Sequence, residues 1–487
     1  MHAITRQDSP KRSPWVPLRE RLFNSRSRLR DRWRAPFGYR HVLRVGLPLV
    51  AGMASETLML FIDRLFLSHY SVSAIAAVLP AGCLAFAAQI AFMGICSYAS
   101  VFTAQYMGAK QPEHIGAIFW QSIWLSLVFG LILGASGFFF ADGVFAASGH
   151  QGHIATLESA YFRILLLGSF PLLLGNALSA FFIGLGRTKP VLFANLAGVA
   201  INISLDWLLI YGRCGLPEYG ISGAALATVA GQVLSAVLLA CLIFSGSERG
   251  KYSLWASWPV RAGLMARLLR FGGPSGFNML VDMAGFSWFI LQVGRLGETA
   301  LAASNIVFSV NSLVFMPMMG LNSAVASLVG TAVGSGNVNN AKKAATSALH
   351  LSLAYMMPMS FSLALGGEWY IDMFMPADSL PLSAETRSTG IILLWYVAAY
   401  SLVDSCNIIY FGALKGAGDT VFVMLALCWL AVFGLGLPIL LLEHFGMTTL
   451  HSLWIVFSLY VTALALTAWR RFSSGRWQGI RLVDKRE

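Results

Sequence analysis

The stretch LRVGLP at residues 43–48 decides the fold, because a second copy, LRFGGP, stands at residues 269–274. The second copy begins 226 residues after the first. The same offset relates two further pairs, Glu56 with Asp282 and Gly108 with Gly334. An apolar segment that carries one acid and recurs half a chain later is typical of membrane transporters built from internal repeats.

The composition predicts a membrane protein. The 487-residue chain is 57% apolar and only 11% charged, whereas a soluble domain carries about 25% charged residues. There is too little polar surface to coat a body exposed to water, so lipid is the expected solvent. Six cysteines without a CxxC pair argue against a disulfide framework and against a zinc site.

Twelve apolar runs are long enough to cross a bilayer, which takes about 20 mostly apolar residues. Their length and continuity predict an all-α, polytopic membrane protein with 12 transmembrane helices. The predicted spans cover residues 44–67, 74–107, 116–141, 155–184, 190–212, 221–246, 266–294, 300–333, 342–366, 388–414, 420–442 and 450–470.

Basic residues predict the orientation of these spans. With the N-terminus in the cytoplasm, 29 Lys and Arg residues fall on inside segments and 5 fall on outside segments. Positive charge beside spans marks the cytoplasmic side, so both termini are expected there, with the protein in the plasma (inner) membrane. The net charge of +12 lies mainly in such flanks, and no nucleic-acid partner is expected.

Six spans in each copy bring both copies into the membrane with the same orientation. The sequence therefore predicts two parallel six-helix bundles, here called lobes. An internal pseudo-dimer needs no partner subunit, so a monomer is expected. The predicted organisation is a basic cytoplasmic arm at 1–42, a first lobe at 43–246, a cytoplasmic inter-lobe linker at 247–264, a second lobe at 265–472 and a basic cytoplasmic tail at 473–487.

Acids inside the spans are the main candidates for function. Each costs about 2.5–3.5 kcal/mol at the bilayer centre, so an acid is retained there where it faces a cavity, a cation or a partner. These acids are Glu56, Asp63, Asp206, Asp282 and Asp404. For two of them a specific structural role is the alternative to a functional one. Asp63 lies beside Arg64 and could be an interfacial cap, and Glu56 could form a hydrogen bond between two helices. No basic residue lies inside the span predicted for Asp404, and Arg267 and Arg270 lie at the start of the span predicted for Asp282, at least 12 residues before that acid. We therefore expect nothing basic to neutralise either acid.

Amides and a phenol accompany these acids at helical spacing. Asn202 and Asp206 are four residues apart and share one helix face, as do Tyr400 and Asp404. Further amides come from Asn176 in the first lobe and from Asn311 in the second. Such sets suit a hard cation such as Na⁺, which prefers oxygen ligands, or a carboxyl group that takes up a proton. Beyond such a coupling ion, no cofactor is expected.

Motifs of enzymes and ATP-driven pumps are absent from the sequence. It contains no GxxxxGK[ST] phosphate loop, no HExxH motif and no recognisable pairing of a nucleophile with a base. We therefore expect neither an ATP motor on this chain nor an enzyme.

Six motifs in order resemble the multidrug and toxic compound extrusion (MATE) family of antiporters across about residues 40–470. They are Pro48 with Ile62-Asp63, QYMGA at 105–109, GRTKP at 186–190, NISLD at 202–206, GAALAT at 223–228 and GALKGAGDT at 412–420. The resemblance implies two six-helix bundles around a central cleft. It also implies alternating access, with small organic compounds, cationic or amphiphilic, exported in exchange for Na⁺ or H⁺.

The resemblance also implies two cation sites. In the NorM-type branch a carboxylate follows the proline of the seventh span by eight residues, which is the position of Asp282; that branch also implies Tyr400 and Asp404. In another branch the site lies in the first lobe, and the matching residues are Asp63, Asn176, Asn202 and Asp206. Possible additional site residues are Glu56, Thr228 and Asn311. The alternative function is a flippase for a lipid-linked or amphiphilic substrate, which predicts a lateral opening and no coupling to a cation gradient.

Overall fold

The protein is described by a computed structural model over residues 31–147, 152–246, 248–374, 382–480 and 482–483. All regular secondary structure in these ranges is helical. Residues 1–30 of the predicted arm, and residues 481 and 484–487 of the predicted tail, lie outside the described residues.

Twelve long helical segments follow one another in the order predicted. They are α1 Tyr39–Tyr70, α2 Val72–Gly108, α3 Pro112–Ala147, α4 Gly152–Leu167 with Ser169–Gly184, α5 Lys189–Ile210, α6 Gly220–Ser245, α7 Ala262–Gly294, α8 Glu298–Gly334, α9 Val338–Leu365, α10 Leu382–Ala417, α11 Thr420–His444 and α12 Leu450–Ser473. Short helices at Glu248–Lys251, Leu254–Ser257, Gly367–Phe374 and Arg476–Gly479 connect or follow them.

Ten of these segments are long and apolar enough to cross a membrane, and α4 is the eleventh if its two halves form one span. The twelfth, α7, is 33 residues long and is made more polar by Arg267, Arg270 and Asp282. The expected all-α membrane fold is therefore confirmed, with α7 as its most polar long segment.

Three of the predicted spans are interrupted. Helix α2 breaks at Tyr98, and α4 bends by 41° between its halves. The bend in α4 falls at Gly168, where an added Cβ would lie 2.2 Å from the side chain of Val229. Helix α11 contains a π-helical turn at Ala431–Gly436, a local insertion that is frequent at functional sites.

The contacts between the two lobes follow the sequence repeat. Helix α1 packs against α8, and its repeat-related helix α7 packs against α2. Helices α2 and α8, which are themselves repeat-related, also pack against each other. The same four helices thus hold the two bundles together on both sides of an approximate two-fold axis, as expected for parallel repeats.

Helices α2 and α8 cross most closely at their C-terminal ends. A Cβ atom added to Gly108 would lie 2.0 Å from the carbonyl oxygen of Thr331, and one added to Gly334 would lie 2.0 Å from that of Gln105. Only glycine allows this backbone contact. Because spans alternate in direction, the glycine crossing lies at the end of the bundle where α1 begins and α12 ends, here called the terminal end.

The segment between the lobes is fastened to α3 of the first lobe. The indole Nε1 of Trp120 donates to the carbonyl oxygen of Leu254 at 2.8 Å, and that of Trp124 donates to the carbonyl oxygen of Trp258 at 3.0 Å. Tyr252 and Leu254 are buried. This part of the predicted linker therefore packs as part of the first lobe.

The residues after α12 fold back onto the second lobe. Trp477 and Leu482 are buried, and the guanidinium of Arg267 on α7 donates to the carbonyl oxygen of Leu482. Beside them, Arg471 binds the carboxylate of Asp419 through two hydrogen bonds of 2.7 and 3.2 Å. The described part of the predicted tail is therefore anchored by apolar burial as well as by charge.

Replacing Arg471 by Met is expected to destabilise the protein by about 3–5 kcal/mol, because it leaves the Asp419 carboxylate buried without its partner. Asp419 is only 4% exposed. The measurement is thermal unfolding in detergent micelles. The double variant Arg471→Met/Asp419→Asn should recover part of the loss, and an unchanged melting temperature for Arg471→Met would contradict the prediction.

Candidate functional site

Two acids meet inside the first lobe. Asp63 on α1 and Asp206 on α5 are 4% and 0% exposed, and their carboxyl groups lie close enough to interact directly. Asn202, one turn before Asp206, lies within reach of Asp63. The hydroxyl of Thr228 on α6 lies 3.5 Å from the Oδ2 atom of Asp63. The structure therefore brings together four predicted residues from three helices, here called the first-lobe cluster.

Glycines bring α5 and α6 close enough to form this cluster. A Cβ atom added to Gly198 would lie 2.7 Å from the carbonyl oxygen of Gly231, and the reverse distance is also 2.7 Å. Asn202 stands one turn after Gly198 on α5. The near contact of the two backbones places Asn202 beside α6 and leaves no room for water between the helices at this level.

Five polar atoms of the first-lobe cluster are buried without a hydrogen-bond partner. They are the Oδ1 atom of Asp63, both carboxylate oxygens of Asp206 and both amide atoms of Asn202. Buried polar groups are ordinarily paired, and unpaired buried charge is especially costly. Four of the five atoms are oxygens, which suits a small hard cation, while two facing carboxyl groups are equally suited to sharing a proton.

The donor set limits which ions fit. Across the described ranges there is no group of three or more His, Cys, Asp or Glu side chains that could hold a metal ion. A Na⁺ ion here would rely on the two carboxylates together with amide and hydroxyl oxygens. The cluster therefore fits a weakly held, exchangeable ion better than a permanently bound metal.

Two further residues define the edge of the first-lobe cluster. Tyr161 on α4 is buried and lies within electrostatic range of both carboxylates; no sequence signal distinguished it from other aromatic residues in apolar spans. Asn176, which the resemblance placed in this site, instead accepts from Ser97 at 3.1 Å and donates to the carbonyl oxygen of Leu172 at 2.9 Å. No described contact joins it to either acid.

Glu56 lies apart from the first-lobe cluster. Its Oε1 atom accepts a hydrogen bond of 2.9 Å from the amide of Asn195 on α5, and its side chain is exposed. This contact is the helix–helix hydrogen bond that the sequence offered as the structural alternative for Glu56.

Asp282, Tyr400 and Asp404 lie together in the second lobe and are here called the second-lobe cluster. Asp282 on α7 is exposed. It nevertheless lies within electrostatic range of Lys415 and Asp404 on α10 and of Tyr460 on α12. Since these neighbours lie on two other helices of the second lobe, Asp282 faces the interior of that lobe. Asp404 is half-buried and accepts from Asn407 at 2.9 Å.

Tyr400 contributes a buried phenol to this cluster. Its hydroxyl is buried without a partner, and its ring lies 5.7 Å from that of Phe457 on α12. Asn311 on α8 also has an unpartnered buried oxygen. However, the contacts of the described residues connect it to neither cluster, so its role stays a prediction.

Lys415 corrects one expectation for the second lobe. The sequence predicted no basic residue inside the span of Asp404 and nothing basic to neutralise Asp282, but α10 extends to Ala417 and so includes Lys415. Its Nζ atom donates to the Oδ1 atom of Asn278 at 2.5 Å, and its charge acts on Asp282. The second-lobe cluster therefore has an internal cation beside it.

Two repeat-related helical bundles, each with a cluster of acids on its long helices, define a two-lobed membrane transporter. The sequence model of the MatE family matches residues 48–208 and 274–441. Both matched segments begin at the proline of the duplicated motif. The chain belongs to the MatE family, as the six motifs predicted.

Individual relatives agree with this membership. The chain is 30% identical over 396 residues to the probable multidrug resistance protein NorM of Burkholderia pseudomallei, covering 81% of this chain and 84% of that protein. A crystal structure of MATE in complex with MaL6 matches its fold with a TM-score of 0.80 at 21% identity, over 92% of this chain and 99% of that one. An outward-facing multidrug resistance MATE family transporter matches with a TM-score of 0.80 at 20% identity, over 92% and 98% of the two chains.

Proposed function

We propose that the protein is a secondary antiporter that exports organic cations, drugs or toxic amphiphiles in exchange for Na⁺ or H⁺. Membership of the MatE family and the similarity to a protein named for multidrug resistance support export of drugs. The observation that carries the coupling is the set of five unpartnered buried polar atoms in the first-lobe cluster. A carboxyl pair without partners in the protein needs a cation from outside, and a membrane gradient supplies one.

The geometry divides the work between the two clusters. The first-lobe cluster is closed and lined by small oxygen ligands, so it suits the coupling ion. In the second-lobe cluster, Asp282 is exposed and lies within electrostatic range of Tyr460, while Asp404 lies within electrostatic range of both Tyr400 and Tyr460. A carboxylate beside aromatic faces suits an organic cation, which gains both charge pairing and cation–π attraction.

Alternating access follows from the charge on the buried acids. Two facing carboxylates without a cation repel each other and resist being enclosed. Binding of a proton or Na⁺ removes this penalty and favours closure of the first lobe around the ion. The glycine crossing at the terminal end is the contact that would have to separate for the cleft to open on that side.

The test is efflux of ethidium from proteoliposomes that hold the purified protein. We expect an imposed gradient of either Na⁺ or pH to accelerate efflux, and the gradient that works identifies the coupling ion. An ionophore that collapses the effective gradient should return the rate to its baseline. Equal rates with and without both gradients would overturn the antiport proposal.

One observation favours a flippase as the second candidate. A cavity of about 420 Å³ lies between α7 and α11 beside the π-helical turn, and its lining is almost wholly apolar. Its wall includes Val281, Trp288 and Leu435. A lipid tail would suit such a groove. Translocation of a fluorescent lipid in the same vesicles, at a rate independent of any ion gradient, would favour the flippase over the antiporter.

A further inference from the structure

The two lobes carry different residues at the repeat-related position that Lys415 occupies in the second lobe. Each lobe's fourth span ends in a glycine motif, and Lys415 precedes Gly416 in the second lobe where Ile183 precedes Gly184 in the first. The duplication therefore kept the helix end but placed an ammonium group in one lobe only.

The repeat-related acids have correspondingly different partners. Glu56 in the first lobe is bound by a neutral amide, that of Asn195, at 2.9 Å. Its counterpart Asp282 has the ammonium of Lys415 as a charged neighbour instead. A neutral donor leaves the negative charge of the carboxylate available to a cation. An ammonium group instead competes with that cation for the carboxylate.

The ammonium of Lys415 binds a residue one helical turn before Asp282 and does not pair with Asp282 itself. Its Nζ atom donates to Asn278, which precedes Asp282 by four residues on α7. Among the described residues no ion pair within 4.0 Å joins Lys415 to Asp282. Side chains four apart on a helix have Cβ atoms about 5–6 Å apart, so a rotamer change carries the ammonium from the amide to the carboxylate.

Hydrogen bonds from the first lobe fix the backbone at Lys415, while its side chain can reach both Asn278 and Asp282. The hydroxyl of Tyr98 donates to the carbonyl oxygen of Lys415 at 2.9 Å, and the amide of Gln105 donates to that of Gly416 at 3.0 Å. Both donors belong to α2 of the first lobe. Asn278 is 2% exposed and its Nδ2 atom has no partner, so its amide is fixed in the protein interior with the Oδ1 atom turned to the ammonium.

We propose that Lys415 is a built-in competitor for the organic cation at Asp282. When the carboxylate is empty, the ammonium moves from Asn278 to Asp282 and neutralises it. An arriving organic cation displaces the ammonium back to Asn278, and the return of the ammonium expels the cation. Lys415 thus weakens binding and speeds release. This inference rests on the proposed function, because it requires Asp282 to bind the transported cation.

The experiment measures equilibrium binding of tetraphenylphosphonium to the purified full-length chain, together with its transport in proteoliposomes. Lys415→Met is expected to lower Kd about tenfold, and to lower both KM and kcat because release becomes slow. Lys415→Gln keeps a hydrogen-bond donor for Asn278 and so preserves the local packing. It should tighten binding by the same factor as Lys415→Met. Lys415→Arg keeps the charge and should bind as the natural protein does.

Two further variants separate this inference from the function on which it rests. In the double variant Lys415→Met/Asp282→Asn the tightening must vanish, because the two effects act on one carboxylate. If Asp282→Asn alone binds the probe as the natural protein does, the proposed substrate site is wrong. If Asp282→Asn loses binding while Lys415→Met and Lys415→Gln bind unchanged or more weakly, the site stands and the competitor role is overturned.

Discussion

Asp206→Asn and Asp63→Asn are each expected to reduce gradient-driven efflux about 100-fold, equivalent to about 2.7 kcal/mol. An amide neither takes up a proton nor lends a full charge to Na⁺, so the first-lobe cluster would lose its response to the gradient. The same replacements remove the repulsion between two buried carboxylates. The melting temperature should therefore stay the same or rise, which distinguishes loss of coupling from loss of folding.

Asp142→Asn is the matched control for these variants. Asp142 is exposed and pairs with Arg163 at 2.7 Å on the surface, and such surface pairs contribute about 0–1 kcal/mol. Efflux by this variant should equal that of the natural protein. If Asp206→Asn and Asp63→Asn also keep the full response to the gradient, the coupling ion does not use the first lobe.

Gly334→Ala and Gly108→Ala are expected to prevent closure of the terminal end and to abolish transport. The added methyl group would lie 2.0 Å from a backbone oxygen in each case, and neither backbone can yield without separating α2 from α8. The measurement is labelling by a membrane-impermeant maleimide of Ala104→Cys, in a chain whose six native cysteines are replaced. Ala104 is buried, so labelling should be slow in the parent and fast in the glycine variants.

Gly143→Ala serves as the control for this experiment. An added Cβ atom at Gly143 meets nothing within 4 Å, and alanine is the better helix former, so neither labelling nor transport should change. Slow labelling with normal transport in Gly334→Ala would show that the crossing tolerates a side chain and does not govern closure.

The sequence predicted the fold well because duplication and hydrophobic length are properties of the chain itself. The offset between Glu56 and Asp282 gave the two lobes, and the apolar runs gave all twelve helices. The interruptions at Gly168 and Ala431–Gly436 were missed because they depend on local packing against other helices, which a single apolar run does not encode.

The acids of both clusters were predictable because charge in a membrane span is costly and therefore conspicuous. Lys415 was missed as a site residue because α10 continues past its apolar run, so an edge set by hydropathy left the lysine outside. Asn278 and Tyr161 were missed for a different reason. Polar and aromatic residues are common in spans, and only the helix packing shows which of them face a charged group.

The fastening of the inter-lobe segment to α3 restricts how the halves can move. The backbone N–H of Arg261 also donates to Gln121 at 3.0 Å, so the chain is tied down until it enters α7. Because the inter-lobe segment is held against α3, it cannot lengthen to accommodate a rigid-body rotation between the halves. Such a rotation must therefore hinge where α7 starts. A small rotation at that hinge produces a larger displacement at the other end of α7, because the helix is 33 residues long.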